Sequence, residues 1–202
     1  MGELVYVQEH GYRVIKRSRM LGEIARGQRC MAVAGTHGKT TTSTLVSHLF
    51  TASGEGCSAF LGGISKNYDT NLLISANDVV VAEADEFDRS FLQLFPEIAV
   101  ITSMDADHLD IYGDEAHIRE AFKAFSSQVS GTVIVKHGLD ITSADTRAEI
   151  KTYSFGNPEA DFHAQTLEDG HFNICYPGGV IEDCCLGIPG WVNIENATVQ
   201  PQ

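Results

Sequence analysis

The chain has 202 residues, 43% of them hydrophobic, and carries 27 acidic against 14 basic side chains for a net charge of −13. That is enough apolar material for one buried core, and the wrong sign for a general nucleic-acid binder, so nucleic acid is not an expected partner. An acidic protein that handles phosphates does so through backbone N–H groups and metal ions, not through a basic patch.

No apolar run approaches membrane-spanning length, so no membrane association is expected. The five cysteines (Cys30, Cys57, Cys175, Cys184 and Cys185) include no CxxC pair. An odd count without an export signal reads as a reduced, cytoplasmic protein whose thiols act as small buried hydrophobes.

In chain order, Tyr12–Ser18 reads as a short strand and Ser18–Gly27 as a short helix ending on glycine. Cys30–Gly35 is an apolar run of buried-strand type. Lys39–Phe50 then places Leu45, Val46, Leu49 and Phe50 on one helical face, with Gly54 as terminator. Ser58–Gly63, Asp78–Ala84, Glu97–Ser103 and Thr132–Val135 are strand-like, and the unbroken apolar stretch Val79–Ala82 suits a strand covered on both faces. Asp114–Val129 is the clearest helix, capped by Asp114, with Ile118, Ala121, Phe122, Phe125 and Val129 in line.

Strands alternating with helices predict an α/β fold built on a mostly parallel sheet flanked by helices. Beyond about residue 150, glycine turns between short strands predict a C-terminal antiparallel hairpin subsheet. A helix begins near Trp191.

Three stretches carry chemistry. In "GTHGKTT", Gly35 to Thr41, a buried strand gives way to a glycine loop and then a helix. That order leaves backbone N–H groups unpaired at a helix N-terminus, where an anion is favoured. Gly35 and Gly38 let the backbone close on phosphate oxygens, Lys39 would meet the terminal phosphates, and Thr40 offers a hydroxyl to Mg²⁺. The strict pattern G-x-x-x-x-G-K-[ST] is not met, because residue 33 is valine. A plain glycine turn would not explain a helix that opens on Lys-Thr-Thr-Thr, residues of weak helix propensity.

The second stretch, "VVVAEADEFD", delivers Glu83, Asp85, Glu86 and Asp88 from the end of a buried strand. Alone it reads as a solvated acidic loop. Crowded carboxylates call for a cation or a basic group between them, and downstream of a phosphate loop Glu83, the first after the apolar run, is the expected second Mg²⁺ contact. In the third, "TSMDADHLDIYGD", His108 sits between Asp107 and Asp110 at what should be the same sheet edge. It reads as a metal ligand with carboxylate neighbours, or as a surface ion pair. No G-x-S-x-G elbow supports a hydrolase triad, and no G-x-G-x-x-G fingerprint supports a dinucleotide site.

Together, "GTHGKTT", "EADEFDRSFLQLFPEIAVITSMDADHLDIYG" and "IPGWVNIENA" resemble the Mur ligase family over nearly the whole chain, from Glu3 to Ala197. The likeness is greatest to the branch that adds L-alanine to UDP-N-acetylmuramate. It implies three domains in the parent protein. Residues 1–28 would be the remnant of a junction after a missing UDP-sugar-binding domain. Residues 29–202 would be the central ATP-binding domain, and the amino-acid-binding domain would be absent.

The resemblance further implies that Gly35, Thr36, His37, Gly38, Lys39, Thr40 and Thr41 hold the phosphates of ATP and that Lys39 stabilises charge on the γ-phosphoryl group. Thr40 and Glu83 would ligate one Mg²⁺, and His108 would help hold a second. Asn193 and Asn196 match asparagines that the family places near adenine, although the usual preceding histidine is here Val192. Lys123 is set against the carbamylated lysine of several relatives and is expected to be an ordinary solvent-facing side chain. Readings left open are a ligase that recycles murein peptides onto the same sugar and a non-catalytic nucleotide-binding module.

Overall fold

The structure is a computed structural model that describes residues 2–105, 112 and 114–199. Two short helices come first, α1 (Gly2–Glu9) and α2 (Arg17–Ala25). They are followed by β1 (Arg29–Ala34), α3 (Lys39–Ala52), β2 (Ser58–Ser65), β3 (Thr70–Leu73), β4 (Val79–Ala84) and β5 (Ile98–Ile101). Next are α4 (Glu115–Ser127), β6 (Thr132–Lys136), β7 (Glu149–Phe155), β8 (Phe162–Thr166), β9 (Phe172–Tyr176), β10 (Gly179–Cys184) and α5 (Trp191–Thr198). All ten of these strands join one sheet in the order β10-β9-β8-β7-β6-β5-β1-β4-β2-β3.

Side chains alternate across the sheet with the two-residue period of a strand. Cys30, Ala32 and Ala34 of β1, with Val80, Ala82 and Ala84 of β4, meet one apolar layer that includes Ile118, Phe122 and Phe125 of α4 and Phe91. Their neighbours Val33, Val79 and Val81 face the other way, toward Val46 of α3 and Val199 beyond α5. Helices on both faces explain why β1 and β4 read as unbroken apolar runs. Burial also pushes the Cys30 thiol up to about 12, so this cysteine behaves as a small hydrophobe.

Asp114 caps α4 as expected, its carboxylate accepting from the His117 backbone N–H at 3.0 Å. The stripe from Ile118 to Val129 is buried throughout.

The structure departs from the sequence reading in four places. Residues 12–16 form no strand, and α2 starts at Arg17. The strand β3, short and half exposed, was not expected from the sequence. Leu49 is 47% exposed rather than part of the buried face of α3. That helix packs through Thr42, Ser43, Val46 and Ser47, small side chains that bring it close to the sheet and turn Leu49 outward. Two of the buried hydroxyls are satisfied within the helix, Ser43 donating to the Thr40 carbonyl and Ser47 to the Ser43 carbonyl.

Finally, β7 and β8 are parallel additions, and the antiparallel part is confined to β8–β9–β10 at one edge and β3 at the other. Phe162 pairs with Tyr153, near the far end of β7. With that stagger the chain needs no long crossover, so a parallel pair looked like a hairpin.

The aromatic packing under the sheet gives a direct test. Phe91 meets Phe122 edge-on at 5.3 Å between ring centres and stacks on Phe125 at 5.0 Å. Phe122→Ala is expected to lower the unfolding free energy by about 4 kcal/mol, measured by urea denaturation.

Candidate functional site

β1 lies between β4 and β5, parallel to both, so three strands deliver their carboxyl ends to one edge. In open α/β sheets ligands collect at that edge. The chain leaves β1 through Gly35 at φ +139°, and Gly38 stands at φ +84° as the residue before α3. A Cβ on Gly35 would lie 2.1 Å from Thr102 Oγ1, so no other residue fits there without moving the end of β5.

The loop is then pinned to the segment after β5. The Thr102 backbone N–H donates to the Ala34 carbonyl at 3.0 Å, and its hydroxyl reaches the His37 carbonyl. The His37 N–H donates to Ser103 Oγ at 2.8 Å, and the Thr36 hydroxyl shares a hydrogen bond with the same oxygen. The α3 N-terminus has no side-chain cap, which leaves its first-turn N–H groups pointing out of the loop.

Two carboxylates flank this loop from different sides. Thr40 donates its hydroxyl to Glu83 Oε1 at 3.0 Å, and the Gly62 backbone N–H donates to Glu83 Oε2 at 2.8 Å. A Cβ on Gly62 would stand 2.4 Å from that carboxylate, so the bare backbone of β2 is what lets Glu83 lie down on it. Thr40 and Glu83 together present hard oxygen donors of the kind Mg²⁺ takes. A cleft bordered by Arg17, Phe60, Gly62, Glu83 and Asp85 opens beside them. Among the described residues no three His, Cys, Asp or Glu side chains gather as a complete metal cage.

Lys39 turns the other way. Its ammonium donates to the Gly35 carbonyl at 2.7 Å and to both oxygens of Glu86 at 3.0 and 2.8 Å. Glu86 is 1% exposed and Lys39 14%. Sequence reasoning counted Glu86 only as a member of the acidic cluster, because nothing in its spacing distinguishes it from Asp85 or Asp88.

Basic groups intervene among these carboxylates, Lys39 at Glu86 and Lys16 at Asp88. Asp85 accepts from the Phe87 N–H at 3.1 Å, and Asp88 pairs with Lys16 at 2.5 Å on the surface. The chain turns sharply here, with Asp88 and Arg89 in the left-handed region, and this scatters the four acids.

The remaining candidates fall as follows. Thr41 lies in the first turn of α3. His37 is exposed, its ring 3.9 Å from Asp105. Asn196 is buried against Gly38, its Oδ1 3.1 Å from where a Cβ there would be. Asn193 donates to the Pro189 carbonyl at 2.8 Å. Residue 195 between them is Glu195, which pairs with Lys136 at 2.8 Å and ties α5 to the end of β6. His108, with Asp107 and Asp110, lies outside the described residues. Lys123 pairs with Asp140 at 3.0 Å and Asp145 at 3.5 Å. The hydrogen bond to Asp140 chiefly raises its pKa, which opposes the neutral amine that carbamylation needs.

Two substitutions test this geometry. Gly62→Ala is expected to displace the Glu83 carboxylate while leaving the fold intact, visible as chemical-shift changes at Thr40 and Glu83 in an NMR spectrum. Lys39→Met removes an ion-pair partner of the buried Glu86 carboxylate. It is expected to cost about 2 kcal/mol in urea denaturation, below the usual figure for a broken buried pair because Glu86 has interactions besides Lys39.

The comparisons with known proteins agree with this architecture. Residues 33–200 match the family model described as the Mur ligase middle domain. The UDP-N-acetylmuramate–L-alanine ligase of Porphyromonas gingivalis is 49% identical over 203 aligned residues, which cover 96% of this chain and 44% of that protein.

Among solved structures, the UDP-N-acetylmuramate-alanine ligase of Thermotoga maritima superposes with a TM-score of 0.79 at 23% identity, over 97% of this chain and 46% of that one. A UDP-N-acetylmuramate:L-alanyl-gamma-D-glutamyl-meso-diaminopimelate ligase from Neisseria meningitides gives 0.82 at 22% identity, over 96% and 67% respectively. The chain thus spans less than half the length of the curated relatives it matches. It belongs to the Mur ligase family and carries that family's middle domain.

Proposed function

We propose that this chain is the ATP-binding part of a ligase that joins L-alanine to UDP-N-acetylmuramate. The observation that carries the reading is the Thr40–Glu83 contact directly behind an uncapped glycine loop. It is supported by relatives at 41–49% identity that carry the alanine-ligase name.

In this reading the loop from Gly35 to Thr41 takes the phosphates through its backbone N–H groups. The dipole of α3 adds to the attraction. Lys39 supplies positive charge to the γ-phosphoryl group. Thr40 and Glu83 would hold Mg²⁺, and the fit is good, because this ion needs only one or two protein oxygens beside phosphate oxygens and water. When bound, the ion would neutralise charge that builds up on the phosphoryl oxygens. Asn196 braces Gly38 and with it the shape of the loop, and Glu195–Lys136 fixes the helix that carries Asn196.

The reaction this serves begins with attack of the muramate carboxylate on the γ-phosphorus, which releases ADP and leaves an acyl phosphate. The amine of alanine then attacks the acyl carbon, and phosphate departs. Residues 1–28 would join the ATP-binding part to a sugar-nucleotide domain, with an amino-acid domain following. By the family resemblance His108 would help hold a second Mg²⁺, and a cytoplasmic setting accompanies this reading.

Two measurements bear on it. Calorimetric titration should show Mg·ATP binding to the 202-residue chain. Glu83→Gln should weaken that binding about tenfold while leaving Mg-free ADP nearly unaffected. Equal losses for both ligands would remove Glu83 from the metal site. Incubated with UDP-N-acetylmuramate, ATP and alanine, this chain alone should form no amide product, and product formation would show that the other segments are dispensable.

A further inference from the structure

We propose that Glu86 is a positioning residue that parks Lys39, and that this contact sets how readily the loop accepts a phosphate ligand. The inference rests on the reading of the Gly35–Thr41 loop as a phosphate cradle. An ammonium has three N–H donors. In Lys39 they meet three acceptors, the Gly35 carbonyl and the two Glu86 oxygens. A phosphate is therefore not simply added to Lys39. It must be exchanged for one of these partners.

The partner most costly to leave is Glu86. It is 1% exposed, so water screens its attraction for Lys39 very little. Nor can the acid follow the lysine outward. The Tyr112 hydroxyl donates to the Glu86 carbonyl, the Arg89 N–H donates to the same oxygen at 2.9 Å, and the Phe91 N–H holds Asp85 at 2.8 Å. The backbone that carries Glu86 is thus tied into the turn under α4.

Two consequences follow. Inorganic phosphate, with few contacts to the loop, has little to set against the Lys39–Glu86 pair. A nucleoside polyphosphate engages the loop N–H groups at the same time and can draw the lysine across. Glu86 therefore biases the site against small anions, and the fraction of molecules with Lys39 released scales the apparent affinity.

The test uses the 202-residue chain and a fluorescent ADP analogue, with orthophosphate as competitor. Glu86→Gln keeps an acceptor for Lys39 but removes the charge. It is expected to bind the analogue about five-fold tighter, and orthophosphate should compete at correspondingly lower concentration. Unchanged or weaker binding of both ligands overturns the proposal.

Should Glu86→Gln fail to fold, the wild-type chain decides. With ¹⁵N-labelled lysine, the Lys39 ammonium should give a signal protected from exchange that moves when ADP is added. A Lys39 signal absent in the free protein, or unmoved at ADP saturation, overturns the parking contact. If the wild-type chain binds no ADP at all, the cradle reading itself fails. If it binds ADP and Glu86→Gln is no tighter, only the role of Glu86 fails.

Discussion

The carboxyl edge of this sheet depends on how closely the chain passes over Thr102 as it leaves β1. Gly35 has no Cβ, and the Thr102 hydroxyl occupies that space, bonded to the carbonyls of Ala34 and His37. The loop is therefore shaped by the neighbouring strand and not by α3 alone. Ser103 continues the contact to Thr36 and His37. Held in this way, the loop leads into a helix whose N-terminus no side chain caps.

The same close packing divides the acidic run after β4. Glu83 still lies within the strand and faces β2, where Gly62 gives it room and a donor. Glu86 follows three residues later and faces inward, where the Lys39 ammonium helps make a buried carboxylate tolerable. One short segment thus supplies two carboxylates with opposite relations to the loop. One sits beside a hydroxyl on the open side, and the other binds the loop lysine from beneath.

The distal half of the sheet is coupled to this edge through α5. Glu195 is buried, pairs with Lys136 and accepts from the Phe155 N–H at 3.3 Å. Burial and the nearby Glu195 carboxylate also push the Tyr153 hydroxyl well above its ordinary pKa, so it remains neutral. Asn196, the next residue, rests on Gly38. The strands β6 and β7 therefore reach the loop through one helix, although neither is adjacent to β1.

The sequence by itself determined the central strands, the amphipathic helix from Asp114 and the glycine loop with its lysine and threonine. These depend on local patterns: two-sided burial makes β1 and β4 largely apolar, and a strand-to-helix turn packed this closely on Thr102 needs glycine. Tertiary structure alone decided that β8 lies parallel to β7, because stagger between strands leaves no trace in composition. It alone decided that small hydroxyl residues, not Leu49, face the sheet from α3. And it alone separated Glu86 from Glu83, because the direction a carboxylate takes in an acidic turn is set by which strand, glycine or lysine lies across from it in space.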